Sequence, residues 1–191
     1  MRTLNLTAIA GLVALGMAGP ALAHTGTGAH THGFVHGALH PFGGADHLLA
    51  MLAVGIWSAL VMPARVWLAP VAFVGAMLVG AGIAAAGLAV PAVEFGIVLS
   101  VIMLGVMIAT RFDVGAAIGS ALVAAFAIFH GNAHGLEATG SMATYMAGFS
   151  LATGVLHSLG IGLGLAMTRI RFAAPAAGSL IAGAGLWLLA A

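Results

Sequence analysis

The sequence of 191 residues contains no cysteine and no lysine, and only 5% of its residues are charged. The absence of cysteine excludes disulfides, thiolate metal sites and cysteine-based catalysis, so a metal site would have to use nitrogen and oxygen ligands, with methionine as the only sulfur donor. Soluble domains carry about 25% charged residues, and this chain could not cover a water-facing surface. It also lacks the basic blocks that bind nucleic acid, so no nucleic-acid partner is expected.

Apolar residues make up 62% of the chain, and 29 glycines would let its helices approach closely in a lipid environment. A transmembrane helix needs about 20 mainly apolar residues. Six segments qualify: 45–62, 66–89, 93–110, 114–130, 142–167 and 173–191. The connections are short, so neighbouring helices should be antiparallel. We therefore expect an all-α integral membrane protein whose main domain, residues 45–191, is a bundle of six transmembrane helices.

The N-terminal 23 residues have the pattern of a cleavable signal peptide. Arg2 provides the positive start, an apolar stretch follows, and Ala21-Leu22-Ala23 matches an A-x-A cleavage site. An uncleaved first membrane helix is the alternative. Cleavage would leave a mature chain that begins at His24, with a histidine-rich periplasmic leader over residues 24–44.

Arginine placement predicts the orientation of the helices. The loops after the first, third and fifth segments hold Arg65, Arg111, and Arg169 with Arg171, whereas the other loops hold no Arg or Lys. Positive residues favour the cytoplasmic side. The pattern therefore predicts a multi-pass protein of the bacterial inner membrane with a periplasmic mature N-terminus, in agreement with a cleaved signal peptide.

A first cluster of metal-binding side chains precedes the first segment, in the run His36-Gly-Ala-Leu-His40-Pro-Phe-Gly-Gly-Ala-Asp46-His47. Imidazole and carboxylate are the usual ligands of borderline divalent metals, and lipid tolerates such groups poorly. Asp46 alone could simply cap the helix N-terminus. Together with His40 and His47 it is better explained as part of a metal site, with His36 as an accessory.

A second cluster follows the fourth segment, in Phe129-His130-Gly-Asn-Ala-His134-Gly-Leu-Glu137. The spacing of four and then three residues would place His130, His134 and Glu137 on one face of a helix. Two glycines make a continuous helix less certain, and we expect the stretch from Gly131 onward to be a polar outer loop, in which a turn could also bring the three groups together. A loop that contains histidine by chance is the alternative.

Two single residues and the leader histidines complete the candidates. Glu94 starts the third segment, either as a ligand or proton acceptor or only as a favourable charge at a helix start. His157 lies within the fifth segment, where an ionisable side chain favours a functional role; it could act as a relay, or be a neutral histidine bonded to another helix. The leader from His24 to His36 could collect ions near the site, or be a flexible, solvated tail.

Over nearly its whole length the chain resembles the HupE/UreJ family of nickel/cobalt transporters. The resemblance is carried by His40-Pro-x-x-Gly-x-Asp46-His47-Leu-Leu-Ala-Met and by Phe129-His130-Gly-x-Ala-His134-Gly-x-Glu137. It implies a secondary permease for Ni(II) or Co(II), found beside hydrogenase or urease systems. The metal-pathway residues that it implies are His40, Asp46, His47, His134 and Glu137. Glu94 matches an acidic residue that the family has at the start of the third helix. His130 is a further candidate, and His36 and His157 fall outside the two motifs.

The expected function is therefore import of Ni(II) or Co(II) without an ATPase of its own, since no P-loop motif is present. No cofactor and no stable protein partner are expected beyond the metal ion and the lipid bilayer; a homo-oligomer is left open. Binding needs neutral imidazole, so uptake should fail below about pH 6.5, the pKa of free histidine. The alternatives are a metal sensor or buffer, and an intramembrane zinc hydrolase, although Gly131 stands where H-E-x-x-H needs its glutamate.

Overall fold

A computed structural model of the protein describes residues 33–138 and 141–191. The proposed signal peptide and the leader histidines His24, His30 and His32 lie outside the described residues. Within them the regular structure is entirely helical. The α-helices are α1 (Phe34–Leu39), α2 (Ala45–Val61), α3 (Leu68–Ala85), α4 (Val93–Thr110), α5 (Ala116–Glu137), α6 (Met142–Met167) and α7 (Ala173–Ala190), and a 3-10 turn, His40–Phe42, follows α1.

Five helices, α3 to α7, are long and apolar enough to cross a membrane. Helix α2 has 17 residues and is about 26 Å long, shorter than a hydrocarbon core of about 30 Å. It forms a bent pair with residues 34–42, which meet it at 84°. The prediction of an all-helical membrane protein is confirmed, and the described part of the chain reaches six spans when this bent pair counts as one.

Two predicted helix ends differ from the structure by more than two residues, and glycine explains both. Helix α3 ends at Ala85 instead of 89, because Gly87 adopts a φ of +80° and the Leu88 N–H bonds to the Ile83 carbonyl in a Schellman-type ending. Helix α5 continues to Glu137, so the predicted outer loop after residue 130 is in fact the end of a helix. Gly131 and Gly135 lie inside this helix, where they allow close packing against α3 and do not break the helix.

Helix α2 occupies the centre of the bundle, where ten of its residues, 49–51 and 53–59, are buried. It packs mainly against α6 and also against α4 and α3. The closest pairs elsewhere are α3 with α5 and α4 with α7, and α1 packs against α6. Large apolar side chains on the outer faces of the bundle are exposed, as expected for surfaces that face lipid.

Glycine sets the distance between the paired helices. A Cβ atom on Gly55 of α2 would collide with the carbonyl oxygen of His157, and one on Gly160 of α6 would collide with that of Leu52. Gly80 of α3 and Gly131 of α5 face each other's helix backbone in the same way. Small residues permit this approach where no hydrophobic force acts between helices in lipid. The helices that carry the candidate ligands are therefore held at backbone contact.

The arginine-containing loops lie at one end of the bundle and both motifs lie at the other, because consecutive helices joined by short loops alternate in direction. At the arginine end, the Trp57 indole N–H donates to the Phe112 carbonyl at 3.1 Å, and the Ser58 hydroxyl donates to the Val66 carbonyl at 2.7 Å. These bonds tie two of the loops to the central helix.

Candidate metal site

The bent segment brings the first motif against α6. A Cβ atom on Gly37 would collide with the Tyr145 carbonyl, and one on Gly148 would collide with the Phe34 carbonyl, so α1 and α6 touch through their glycines. Pro41 lies at the start of the 3-10 turn, where its missing N–H costs nothing. Residues 34–39 are thus helical and packed against α6, so residues 34–36, the end of the leader from His24 to His36, are not part of a flexible tail. This packing fixes the position of His40.

The end of α5 carries the second motif into the interior. His130 and His134 are fully buried, because Gly131 lets α5 contact the Met77 carbonyl of α3. Asn132 of the same motif accepts a hydrogen bond from the Val90 N–H at 2.8 Å and donates to the Leu88 carbonyl at 3.0 Å. The α3–α4 connection therefore holds this end of α5 in place. Nothing in the motif itself indicates this role for the asparagine.

His40, His134 and Glu137 form a three-ligand group in which one ligand atom from each residue lies within 4.8 Å of the others. His40 Nε2 is 3.3 Å from Glu137 Oε2, and His134 Nδ1 is 3.8 Å from the same oxygen. The Glu137 side chain is 31% exposed, whereas that of His134 is 1% exposed. The group therefore extends from the surface into the bundle.

The distances of 3.3 and 3.8 Å from the Glu137 oxygen to the two histidine nitrogens fit a divalent metal ion. Ligand atoms about 2.1 Å from a metal such as zinc lie about 3.0 to 4.2 Å from one another in tetrahedral or octahedral geometry. Two imidazole nitrogens and a carboxylate oxygen suit nickel, cobalt and zinc alike. A carboxylate also offsets part of the charge of a divalent ion, which lowers the cost of moving the ion out of water.

Asp46 lies beside His47 at the start of α2 and orients its ring. Its Oδ1 atom accepts hydrogen bonds from the His47 backbone N–H and from His47 Nδ1, each at 2.8 Å. The carboxylate thus satisfies a free N–H of the helix start and also fixes the histidine, so both interpretations of Asp46 are compatible with its position. With Nδ1 donating, Nε2 of His47 has a free lone pair, and in the described part of the chain this buried atom has no hydrogen-bond partner. A carboxylate behind the imidazole is typical of metal-binding histidines.

Ring contacts connect the two motifs. The His40 ring lies 4.7 Å from that of His134, the His134 ring lies 4.4 Å from that of His47, and the His47 ring lies 5.0 Å from that of His130. All are centroid distances between rings in edge-on arrangements. Four candidate histidines, from two motifs that are far apart in the sequence, thus form one continuous series of neighbouring rings, in the order His40, His134, His47 and His130.

The remaining candidates lie at different distances from this series. His36 is exposed and its ring centroid is 5.9 Å from that of His40; its accessory role stays a prediction. Glu94 lies in the first turn of α4 with an exposed side chain, and it is not part of the three-ligand group. His157 is fully buried and its Nδ1 lies 2.8 Å from the Met51 carbonyl oxygen. It is therefore a histidine bonded to a neighbouring helix.

Several residues near the histidines lie outside the two motifs, so the motifs do not identify them. The Phe149 ring lies 4.0 Å from that of His134, and the Tyr145 ring lies 5.9 Å from that of His40. Ser100 of α4 is buried, with Oγ 3.0 Å from His130 Nε2. An isolated serine or tyrosine in an apolar segment is a weak sequence signal, and only the folded bundle shows which histidine it meets.

Comparison with known proteins agrees with the motifs. The family model described as HupE / UreJ protein matches residues 12–188. A relative from Rhizobium leguminosarum bv. viciae, named Protein HupE, is 42% identical over 178 residues, which cover 89% of this chain and 91% of the relative. No solved structure matches the chain.

Proposed function

The chain belongs to the HupE/UreJ family, a family of nickel/cobalt transporters, and we propose that it is a secondary permease that imports Ni(II), Co(II) or both from the periplasm. The family consists of transport proteins, not enzymes. The observation that carries the proposal is the three-ligand group of His40, His134 and Glu137 at the end of the bundle opposite the arginine loops. An importer needs its first ligands on the side from which the ion arrives.

In this proposal the protein lies in the bacterial inner membrane, with a cleaved signal peptide and a periplasmic mature N-terminus. Arginine placement supports this orientation through the positive-inside rule. The three-ligand group would replace part of the hydration shell of the ion, and His47, held by Asp46, would accept the ion next. Glu94, exposed on the same side, and the leader histidines would raise the local concentration of the cation.

In this proposal the membrane potential drives the ion inward. It contributes about 2.3 kcal/mol per charge per 100 mV, hence about twice that for a divalent ion. The sequence has no P-loop motif for ATP hydrolysis. Imported metal would supply a nickel enzyme such as hydrogenase or urease.

Uptake of radioactive nickel tests this proposal. Cells that express the chain should accumulate the metal above the level of cells without it, and His47→Ala and Glu137→Ala should lose most of that uptake while remaining in the membrane at the same level. Equal uptake in all three would contradict the proposed pathway. Tight metal binding by the purified protein without any uptake by cells would instead identify a sensor or buffer.

Competition identifies the preferred ion. Unlabelled Co(II), Ni(II) and Zn(II), each in excess, are added to the uptake assay in turn. The ion that suppresses uptake at the lowest concentration is the preferred substrate, since nitrogen and oxygen ligands alone do not separate nickel from cobalt.

A further inference from the structure

His130 is held in one tautomer by a serine from another helix. Its Nε2 atom lies 3.0 Å from Ser100 Oγ, and the Ser100 hydroxyl donates its proton to the Ile97 carbonyl at 2.6 Å. A hydroxyl has a single proton to donate, so Ser100 Oγ accepts a hydrogen bond from the histidine. Nε2 of His130 therefore carries the proton, and Nδ1 has a free lone pair.

His157 is held in a similar way on α6. Its Nδ1 atom lies 2.8 Å from the Met51 carbonyl oxygen, which can only accept a hydrogen bond. Nδ1 therefore carries the proton, and the lone pair is on Nε2. The Met51 sulfur is itself engaged, since the Thr153 hydroxyl donates to it at 3.2 Å.

Neither of these two buried lone pairs accepts a hydrogen bond. In the described part of the chain, Nδ1 of His130 and Nε2 of His157 have no hydrogen-bond partner. Burying a polar atom without a partner is unfavourable, yet both side chains are fully buried. An imidazole that donates one N–H to a protein acceptor and leaves the other nitrogen bare is the arrangement that metal-binding histidines have.

The two histidines continue the series inward from the three-ligand group. The His130 ring follows that of His47 at 5.0 Å. The centroid of the Phe73 ring then lies 5.4 Å from that of the His130 ring and 5.1 Å from that of the His157 ring. His157 thus lies one aromatic ring beyond His130, within a membrane-spanning helix.

We propose that His130 and His157 form an inner pair of metal-binding positions, which takes a borderline divalent cation from His47 through Nδ1 of His130 and then Nε2 of His157. Ser100 is the positioning residue that keeps Nδ1 of His130 available. The proposal rests on the proposed import function for its direction, but coordination by the inner pair does not depend on transport.

Nitrogen NMR tests the coordination directly. The full chain, labelled with 15N-histidine and purified in detergent, is titrated with Zn(II) as a diamagnetic probe, and the signals are assigned with His130→Ala and His157→Ala. Before metal is added, His130 should be the Nε2–H tautomer and His157 the Nδ1–H tautomer. Zn(II) should then produce coordination shifts at Nδ1 of His130 and Nε2 of His157. Absence of these shifts, at concentrations that saturate the three-ligand group, would overturn the proposal.

Serine variants test the positioning role. Ser100→Ala should let His130 populate both tautomers and lower the initial rate of nickel uptake by about 10- to 100-fold, the usual cost of losing a residue behind a metal ligand. Ser100→Thr keeps the hydroxyl and should restore much of the rate. Ser120→Ala is the matched control, because Ser120 is a buried serine whose hydroxyl has no partner among the described residues; it should leave tautomer and rate unchanged.

The outcomes separate the two proposals. If the wild-type chain imports no nickel but Zn(II) shifts both nitrogens, the import function fails and the inner pair stands. If uptake depends on Glu137 but neither the shifts nor the Ser100→Ala effect appears, the inner pair is wrong and the import function stands.

Discussion

Nε2 of His40 lies 3.3 Å from Oε2 of Glu137, although the two residues belong to different motifs and to elements that are not neighbours in the sequence. His40 reaches this position because residues 34–42 bend by 84° from α2, and Glu137 reaches it because α5 continues through its two glycines. The contact therefore depends on both features of the fold.

Glu137→Gln should weaken metal binding at least about tenfold. Loss of a residue that only hydrogen-bonds to a metal ligand already lowers metal affinity by about 10- to 100-fold. Glutamine has nearly the same shape but lacks the charge that offsets the cation. The measurement is Ni(II) titration of the purified protein by calorimetry.

Asp113→Asn is the control for this change, because Asp113 is exposed at the arginine end and bonds to the Gly115 N–H. It should leave the affinity unchanged. Glu94→Gln should also leave the equilibrium affinity unchanged, since Glu94 is outside the three-ligand group; an affinity loss as large as that of Glu137→Gln would place Glu94 among the ligands.

Asp46→Ala should reduce nickel uptake by about 10- to 100-fold, although the aspartate need not touch the metal. Its carboxylate accepts both hydrogen bonds that orient His47. Asp46→Asn keeps an acceptor oxygen and should retain an intermediate rate. Initial rates in cells check this order, and an asparagine variant as inactive as the alanine variant would instead favour direct coordination by the carboxylate.

The helical bundle and both motifs were predictable from the sequence, since apolar segments of membrane length and histidine–carboxylate spacing are local signals. The 3.6-residue period also places His130, His134 and Glu137 on one face of any helix that contains them. The sequence does not predict that helix past residue 130, because Gly131 and Gly135 lower helix propensity. Their benefit is contact with α3, which only the folded bundle reveals.

The partners of single polar residues were not predictable. Ser100 and His130 lie on different helices, and nothing in either local sequence indicates that they meet. The same holds for His157 and the Met51 carbonyl, because a backbone acceptor leaves no signal in the sequence. The sequence identifies candidate ligand residues, but not which nitrogen of each histidine is available.

Gly37→Val should abolish metal binding by displacing the bent segment. A side chain at Gly37 would meet the Tyr145 carbonyl, so α1 must move away from α6 and carry His40 away from Glu137. Ni(II) titration of the purified variant measures the loss. Gly33→Ala is the control, because a Cβ there meets nothing within 4 Å. An equal loss of Ni(II) binding in both variants would show that the loss does not come from the contact of Gly37 with α6.

Leu88→Cys should react with a membrane-impermeant thiol reagent added outside intact spheroplasts, whereas Ala64→Cys should react only after the membrane is opened. The chain has no cysteine of its own, and both positions are exposed, in loops at opposite ends of the bundle. The reverse labelling pattern would place the three-ligand group on the cytoplasmic side and would contradict import.

Gly160→Val should lower the thermal unfolding midpoint of the detergent-purified protein, whereas Gly162→Val should leave it nearly unchanged. The two glycines lie in the same helix, so they share the change in helix propensity. A Cβ at Gly160 would collide with the Leu52 carbonyl, but one at Gly162 meets nothing within 4 Å. Overpacking costs about 1–3 kcal/mol or more, and α2 would have to separate from α6, which also carries His157 away from Met51. Equal midpoints for the two variants would mean that α2 and α6 are not in backbone contact.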